Sequence, residues 1–498
     1  MNAMIWTILA SFAVYIYIGF RSMREAKKDA KSFLVAERKV PWFIAAVSDR
    51  ASSMSGWWTL GYVGQASTTG MATCWSGWGC VLTPIINWTL FAKRLRALGE
   101  KYNALTFSEL LVARTNAKTP ALRVVAAISI IIFTTAYMSS QLVAEGKVLA
   151  EILNVTIAPA VAISGALILL YTFTGGYMGV AKANTVQGIL MMVTLIFVPF
   201  YSLIRGGGWE HIMGHAKALN PMIFDWTGGG SLTQQIITIA GMFAICLPAW
   251  GQPHIMTRML SIASADRSYI RRSVTVAGAM DVIATYCAFM MGVVALGYFG
   301  VLPDPENAIY YLVNEFMGPV IGGIMICGVI AAIMSTAAAM MLIVSGELVN
   351  SIYFQWLKKG TGVSQEQLVK YNKLMLIPVM AVAVWMGSSG GSAWDLVIYA
   401  YNGMGASFTP VIFACVLWKG LTKEGAIASI AAGTISVIVW DKLQLTAAML
   451  PDYTVPSSFN VLPCIVIATI CMIIVSKLTK APENAAEDMR LMKAARIG

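Results

Sequence analysis

The chain alternates long apolar stretches with short polar loops over almost its whole length. Thirteen stretches are close to the ~20 residues that a helix needs to cross the hydrocarbon core of a bilayer. They predict an all-α integral membrane protein with thirteen transmembrane helices. The stretches cover residues 3–22, 42–67, 70–92, 122–145, 157–175, 180–204, 232–257, 274–300, 316–347, 374–389, 396–418, 424–445 and 460–476.

The second and the seventh stretch are interrupted at mid-length by helix breakers, SSMSG at 52–56 and PAWGQP at 248–253. A bilayer offers no water to freed backbone groups, so irregular backbone at this depth survives only where it lines a protein cavity. Paired interruptions in the two halves of a polytopic chain are typical of the binding site of a secondary transporter. Because five spans separate the two starts, we expect a five-plus-five inverted repeat, spans 2–6 and 7–11.

Composition and charge agree with a membrane protein. The 498 residues are 58% hydrophobic and 12% charged, with a formal net charge of +11. That charge does not indicate nucleic-acid binding, because most Lys and Arg lie in alternate loops. Basic residues concentrate on the cytoplasmic side of membrane proteins, which predicts a multi-pass plasma (inner) membrane protein with its N-terminus outside and its C-terminus in the cytoplasm. The basic loops are 21–39, 93–123, 258–272, 358–373, 419–423 and 477–498.

We expect one membrane transport domain over 1–498. Its parts are the first helix and loop (1–41), a first repeat (42–206), a second repeat (207–418) and the last two helices with a tail (419–498). The sequence has no P-loop and no catalytic cluster at mid-span, so it predicts neither a pump nor an enzyme.

His211 and His215 lie four residues apart in a loop, a weak metal signal, and no metal site is expected beyond one for sodium. No other cofactor is expected. The lipid bilayer and a small solute are the expected partners, and the sequence does not indicate an oligomeric state.

The chain resembles the sodium:solute symporter family over nearly its whole length, and within it most of all the sodium/proline permeases. The resemblance implies thirteen helices, the LeuT-type inverted repeat and import of a small solute by alternating access, driven by a cation. The segments that carry it are SMSGWWTLG at 53–61, ALTFSELL at 104–111, LYTFTGGYMGV at 170–180, NTVQ at 184–187, GQPHIMTRML at 251–260, AAIMSTAAAMMLIVS at 331–345, YAYNGMGASFTPVI at 399–412 and VIVW at 437–440.

The resemblance also implies a Na⁺ site between the second and the ninth helix. Its oxygens would be the carbonyls of Ala51, Met54 and Ala332 and the hydroxyls of Ser335 and Thr336. Positions 332, 335 and 336 also share one helix face by their spacing. Alternatively, the two hydroxyls only bond back to carbonyls one turn earlier, as is common in membrane helices.

Three positions that bear on coupling depart from the permeases. Ser53 and Asn184 stand where the permeases carry aspartates, and Lys182 replaces an uncharged residue. A nearby ammonium and the loss of two carboxylates weaken Na⁺ binding, so we expect weak or absent Na⁺ dependence. In one interpretation Lys182 replaces Na⁺ or carries a coupling proton. In the other it is a membrane-edge lysine whose side chain reaches the headgroups. The coupling ion, Na⁺, H⁺ or none, therefore stays open at this stage.

The substrate site is expected between the two interruptions. A zwitterionic amino acid or small carboxylate is the first candidate, because half-helix N-termini favour a carboxylate. Ile245 and Ala249 replace aromatic residues of the permeases, which argues against proline itself. The candidate substrate residues are Ser55, Gly56, Trp57, Tyr137, Gln141, Ala249 and Trp250.

An alternative substrate is a quaternary amine such as choline or betaine, enclosed by aromatic rings. The rings would be Trp57, Trp58, Tyr62, Tyr137 and Trp250. A further alternative is a transporter-like sensor that signals through a separate partner.

Several charged residues lie in or beside the spans. Asp49 and Arg50 are expected to form a gate or a structural ion pair, and Asp281 needs a partner because an unpaired charge is costly inside a membrane. Glu145 and Lys147, near the end of the fourth span, are expected to be solvated.

Overall fold

The structure, a computed structural model, describes residues 2–26, 29–390 and 392–495. Over these residues the chain is a bundle of α-helices joined by short loops and by short 3₁₀ and π-helical turns. The helices are α1 Asn2–Ala26, α2 Ala30–Val35, α3 Trp42–Gly56, α4 Tyr62–Thr69, α5 Cys74–Ile86, α6 Ala92–Lys101, α7 Phe107–Arg114, α8 Ala121–Leu153, α9 Ile157–Arg205, α10 Gly208–Leu219, α11 Leu232–Phe243, α12 Cys246–Ala249, α13 Pro253–Ser261, α14 Arg267–Phe299, α15 Ala308–Phe316, α16 Pro319–Gly346, α17 Gln365–Gly387, α18 Ala393–Leu417, α19 Lys423–Lys442, α20 Leu445–Met449, α21 Val461–Leu478 and α22 Ala485–Ala494.

Ten helices in the described part of the chain are long and apolar enough to cross a membrane. The second, third and fifth apolar stretches are not among them. The second and third are each divided by a π-helical turn, at Trp57–Gly61 and Asn87–Phe91. The fifth is the shorter apolar helix Ile157–Phe173, and a positive φ of 57° at Gly176 separates it from the second half of α9. The all-α multi-pass architecture is thus confirmed, and thirteen spans remain a prediction.

Helix α16 lies at the centre of the bundle. It is apolar on all sides, as expected of a helix with neighbours all round, and it packs against α3, α8 and α9. Gly328 permits the close approach of α9, because a Cβ atom there would overlap the side chain of Thr194. Small residues at helix contacts are the usual means of close packing in membrane bundles. This arrangement places the residues of α16 directly against the interrupted α3.

The basic loops gather on one face of the bundle, which we call the basic face. Contacts join loops that are distant in sequence, so the uneven charge distribution corresponds to one physical surface. The contacts are the bridge between Val40 and Ile262, Arg96 Nε to the Ile262 carbonyl (2.9 Å), Arg123 Nη1 to Gln355 Oε1 (3.2 Å), Arg114 Nε to the Cys415 carbonyl (3.2 Å) and Thr422 Oγ1 to Thr479 Oγ1 (2.8 Å).

At the opposite face, the expectation that Glu145 and Lys147 are solvated is wrong. Glu145 has no exposed surface. Lys147 Nζ forms ion pairs with Asp304 (3.0 Å) and Glu306 (2.6 Å) in the loop that follows α14. Lys147 is covered because the loop with Asp304 and Glu306 packs against this part of α8, whereas Glu145 is enclosed by the neighbouring helices. Sequence position near the end of a span did not reveal this cover.

The C-terminal helix α22 docks on the basic face through one carboxylate. Asp488 has no exposed surface and accepts hydrogen bonds from Lys101 (2.9 Å), Tyr102 (2.7 Å) and Asn484 (3.0 Å). The guanidinium of Arg114 lies 3.9 Å away and also has no exposed surface. A buried carboxylate with this many donors holds α22 against α6 and α7.

We predict that Asp488→Ala destabilises the purified protein by about 3 kcal/mol, because Arg114 and Lys101 lose a buried partner. Glu487→Ala is the matched control, since its side chain is 73% exposed and pairs with the same Lys101. The control should change stability by less than about 1 kcal/mol. Thermal unfolding of the two variants in detergent measures the difference, and equal melting temperatures would contradict the docking role.

Candidate functional site: two interrupted helices around a cavity

The first interruption is a break of α3 at Ser55. Its backbone has φ 55° and ψ −172°, a conformation that residues other than glycine rarely adopt. The Ser55 hydroxyl accepts a hydrogen bond from the Trp57 N–H (3.1 Å), and Gln141 Oε1 on α8 accepts one from the Gly56 N–H (3.0 Å). Two freed backbone donors are thus satisfied by side chains, as membrane depth requires. Gln141 therefore supports the break rather than lining the cavity directly.

The second interruption lies between α11 and α13, with the single helical turn α12 between them. Gln252 Nε2 donates to the Pro248 carbonyl (3.0 Å), and Thr409 Oγ1 on α18 donates to the Leu247 carbonyl (2.9 Å). The freed carbonyl groups of this break thus also have side-chain partners. Pro253 begins α13, a position where its missing N–H has no cost.

A small cavity of about 20 Å³ borders both interrupted helices. This is room for about one water molecule, so a solute of amino-acid size fits only when the lining side chains move apart. Trp57 and Tyr137, predicted substrate residues, line it, as does Ser53. The complete lining is Ser53, Trp57, Trp58, Cys80, Tyr137, Ile245, Val397, Ile398 and Tyr401.

The other predicted substrate residues lie behind this lining. Ser55 and Gly56 form the break itself, Ala249 is buried, and the Trp250 ring packs against Phe413 with ring centroids 5.5 Å apart. The sequence analysis gave no role to Tyr401 and the α18 residues near it. Tyr401 lies in the segment YAYNGMG, which carries part of the family resemblance. The segment alone does not show that Tyr401 faces the cavity.

A cluster of oxygen atoms lies where α3 meets α16. Ser335 Oγ is 2.7 Å from the carbonyl oxygens of both Ala51 and Ala332. Thr336 Oγ1 is 2.9 Å from the Ser52 carbonyl and 3.3 Å from that of Ala332. All of these residues are buried, so the two hydroxyls face the broken helix and not lipid. Several convergent carbonyl and hydroxyl oxygens are what a hard cation such as Na⁺ requires.

Two details differ from the predicted ligand set. The carbonyl of Met54 accepts a hydrogen bond from the Trp57 N–H, and the carbonyl of Ser52, which was not predicted, accepts one from Thr336. The reason is that the chain turns at Ser55, which carries the carbonyl of Met54 toward the π-helical turn. Asn184 joins the site from α9, where its Nδ2 donates to the Ser335 carbonyl (3.1 Å). Its Oδ1 is buried and has no hydrogen-bond partner among the described residues.

A buried ion network lies between the cavity and the basic face. Arg50 on α3 bridges Asp49 (3.0 Å) and Asp281 of α14 (3.0 Å). Arg50 also donates to the hydroxyl of Ser53 (3.3 Å), which lines the cavity. Asp281 thus has the partner that its position requires. Asp49, Arg50 and Asp281 are each at most 2% exposed.

Arg258 extends this network to the second interrupted helix. It lies on α13 and donates to the hydroxyls of Ser48 and Ser52 (Nη2 to Oγ 2.8 Å for Ser52). Its Nε is 3.8 Å from Asp49 Oδ1. Two arginines and two aspartates therefore balance in charge, and they join α3, α13 and α14 below the cavity. The sequence analysis missed Arg258 because it belongs to a basic loop by composition.

On the other side of the cavity, Trp57 stacks on Trp394 with ring centroids 5.7 Å apart and planes inclined by 18°. Trp394 is held by hydrogen bonds to Glu306 (3.0 Å) and Ser457 (3.3 Å). Glu306 is also the partner of Lys147. The loop that covers the end of α8 is thus tied to the aromatic pair beside the cavity.

Lys182 lies on a different side of α9 from Asn184, since residues two apart do not share a helix face. Val186, one turn further along, is 40% exposed on the outside of the bundle. The Lys182 side chain is half-buried in a cleft with Glu37, Lys39 and neighbouring residues of the 32–44 segment. This placement favours the membrane-edge interpretation of Lys182.

The comparisons with known proteins agree with this geometry. The model of the sodium:solute symporter family matches residues 33–433. The chain is 30% identical over 462 residues to the high-affinity proline transporter PutP of Bacillus subtilis (strain 168), covering 92% of this chain and 94% of the relative. It is 28% identical over 491 residues to the sodium/proline symporter of Staphylococcus aureus (strain JH9), covering 95% and 92%.

Among solved structures, a Na⁺-coupled sialic acid symporter in a substrate-bound outward-open state matches with a TM-score of 0.79 at 16% identity, covering 97% of this chain and 99% of that one. MhsT in complex with L-phenylalanine matches with a TM-score of 0.52 at 16% identity, covering 87% and 97%. These similarities show a LeuT-type fold. Fold and relatives define a multi-pass membrane transporter and not an enzyme. The chain belongs to the sodium:solute symporter family, as its motifs indicated.

We predict that Gly56→Ala disrupts the first break. A Cβ atom there would lie 2.9 Å from Ile333 Cγ1 and 3.2 Å from the Ala144 Cβ. The expected loss of stability is about 1–3 kcal/mol, measured by thermal unfolding. Gly278→Ala on α14 is the control, because no atom lies within 4 Å of its added Cβ. A Gly56→Ala protein as stable as the control would mean that α3 and α8 are less closely packed than the structure shows.

Proposed function

We propose that the protein imports a small zwitterionic amino acid by Na⁺-coupled alternating access. Proline, the solute named for the two relatives, is the first to be tested, although Ile245 and Ala249 replace aromatic residues of the permeases. The observation that carries the proposal is the oxygen cluster of α3 and α16 directly beside the cavity. Both sites use the same broken helix, since Ser53 lines the cavity while the carbonyls of Ala51 and Ser52 belong to the cluster. An ion bound at the cluster thereby stabilises the backbone conformation that shapes the solute site.

The proposed Na⁺ ligands are the carbonyls of Ala51, Ser52 and Ala332, the hydroxyls of Ser335 and Thr336 and the Oδ1 of Asn184. All are neutral oxygens, which Na⁺ accepts when several converge. Two aspartates of the permeases are thus replaced. Ser53 has a hydroxyl that accepts a hydrogen bond from Arg50, and Asn184 has an amide oxygen in place of a carboxylate. Lys182 is proposed to have no part in the ion site.

The cavity supports a small solute with one anionic end. The indole Nε1 of Trp57 is buried without a hydrogen-bond partner among the described residues, so it is available to donate to a carboxylate. Ile245 and Val397 offer apolar surface to a short side chain or ring. The two relatives above are named as proline transporters, which makes proline the first solute to test.

A quaternary amine such as betaine is the second candidate. It is favoured by the four aromatic rings of Trp57, Trp58, Tyr137 and Tyr401 in the lining, because aromatic faces attract such cations. Tyr62 and Trp250 do not line the cavity. Tyr62 stacks behind Trp58 with ring centroids 4.7 Å apart.

We further propose that the network of Asp49, Arg50, Asp281 and Arg258 is the gate toward the basic face, and that Trp57 and Trp394 are part of the gate on the other side. The basic face is proposed to be cytoplasmic. The thirteen-helix topology, with repeats at 42–206 and 207–418 in one transport domain, remains our proposal for the whole chain.

The test is uptake of labelled proline into proteoliposomes under an inward Na⁺ gradient, with K⁺ replacing Na⁺ as the comparison. We expect Na⁺-dependent uptake, and Ser335→Ala should raise the half-saturating Na⁺ concentration about 5- to 150-fold through a loss of about 1–3 kcal/mol. Thr469→Ala is the control, because its hydroxyl only bonds back to Ile465 on an outer helix.

Other outcomes separate the alternatives. If excess betaine abolishes proline uptake and betaine itself is accumulated, the substrate is a quaternary amine and not an amino acid. Uptake that ignores Na⁺ and disappears in Lys182→Ala would restore the surrogate-cation hypothesis. Saturable binding of solute without any uptake would indicate a sensor.

A further inference from the structure

The Glu145 carboxyl group is buried inside the bundle without a partner. It has no exposed surface, and neither of its oxygens has a hydrogen bond to a described residue. No described Lys or Arg donates a hydrogen bond to it. An isolated carboxylate in such surroundings is far more costly than the neutral acid, so the group is expected to hold a proton.

The surroundings of Glu145 are polar but uncharged. Tyr171 of α9 lies within electrostatic range of Glu145 and beside Gln187, and its hydroxyl donates to the Met334 carbonyl (2.9 Å). The Gln187 side chain is fully buried there. Polar groups from α8 and from both halves of α9 therefore meet at one buried place.

The titratable groups that face this place do not supply a positive charge. From α9 there is Tyr171, and beyond it Tyr15 from α1. Cys327 of α16 acts on Tyr15. On α8 itself, Lys147 is held by the carboxylates of Asp304 and Glu306. On α3, Asp49 and Arg50 neutralise each other. An ionised Glu145 has no hydrogen-bonded counter-charge among the residues that the structure describes.

Glu145 is connected to the first interrupted helix through α8. Tyr137, Gln141 and Glu145 follow at intervals of four residues and share one face of α8. Tyr137 lines the cavity, and Gln141 accepts the hydrogen bond from the Gly56 N–H at the break. A movement of α3 at the break therefore displaces the part of α8 that carries Glu145.

We propose that Glu145 is a proton-binding site coupled to the transport cycle, so that a proton crosses the membrane together with the solute. The proton comes from bulk water on one side and forms an O–H bond on a carboxylate oxygen of Glu145. That bond breaks when the helices open the site to water on the other side. This proton site is additional to the proposed Na⁺-coupled import. It rests on that proposal only because the proton is coupled to the same transport cycle.

The first experiment is infrared difference spectroscopy of the purified protein at pH 7. The spectrum of the unmodified protein minus that of Glu145→Gln should contain the C=O stretching band of a protonated carboxylic acid. Glu151→Gln is the control, because Glu151 lies on the same helix and is exposed. Should the Glu145→Gln protein fail to fold, ¹³C-labelling of the glutamates in the unmodified protein shifts the same band. Absence of the band would overturn the proposal.

The second experiment measures internal pH with a trapped fluorescent dye in proteoliposomes during Na⁺-driven proline uptake. We expect acidification in the unmodified protein and in Glu151→Gln, and at least a tenfold smaller signal per proline in Glu145→Gln. Equal acidification, or none, in all three proteins that take up proline would overturn the coupling. Failure of every variant to take up proline contradicts the proposed substrate instead, and the infrared result still decides whether Glu145 holds a proton.

Discussion

The structure depends on how backbone groups released at Ser55 are satisfied where no water is available. Ser55 has a backbone conformation that costs about 1–3 kcal/mol for a residue other than glycine, and it persists because the surroundings fix it. Gln141 accepts the Gly56 N–H, Ser335 and Thr336 bond to the carbonyls of the preceding turn, and the Ser55 hydroxyl accepts the next N–H. One break thus accounts for the cavity, the oxygen cluster and their adjacency.

The buried charges below the cavity form one neutral network. Arg50, Arg258, Asp49 and Asp281 are buried together, and each would be strongly destabilising if left alone. As a neutral network they link both interrupted helices to α14, so that a change at either break disturbs the contacts of the other. The same logic makes Glu145 unusual, because it is the buried carboxyl group in this part of the bundle for which the described residues provide no cation.

The sequence predicted both helix interruptions and part of the oxygen cluster. Helix breakers in long apolar stretches located both interruptions, and the spacing of Ala332, Ser335 and Thr336 placed them on one face. What the sequence lacked was partners across the bundle. Met54 stays a prediction for the ion site, whereas the Ser52 carbonyl, which was not predicted, bonds to Thr336 because of how the chain runs into the turn at Ser55. The helix face of Lys182 favours one of its two proposed roles. Lys147 was expected to be solvated because its partners Asp304 and Glu306 are distant in sequence.

The central claim is that ion and solute share the broken helix, and binding measurements on the purified protein test it most directly. Titration of proline with and without saturating Na⁺, and of Na⁺ with and without proline, should give the same coupling factor in both directions, about 5- to 150-fold. Ser335→Ala should reduce that factor toward one. A proline affinity that does not change with Na⁺ would contradict the account.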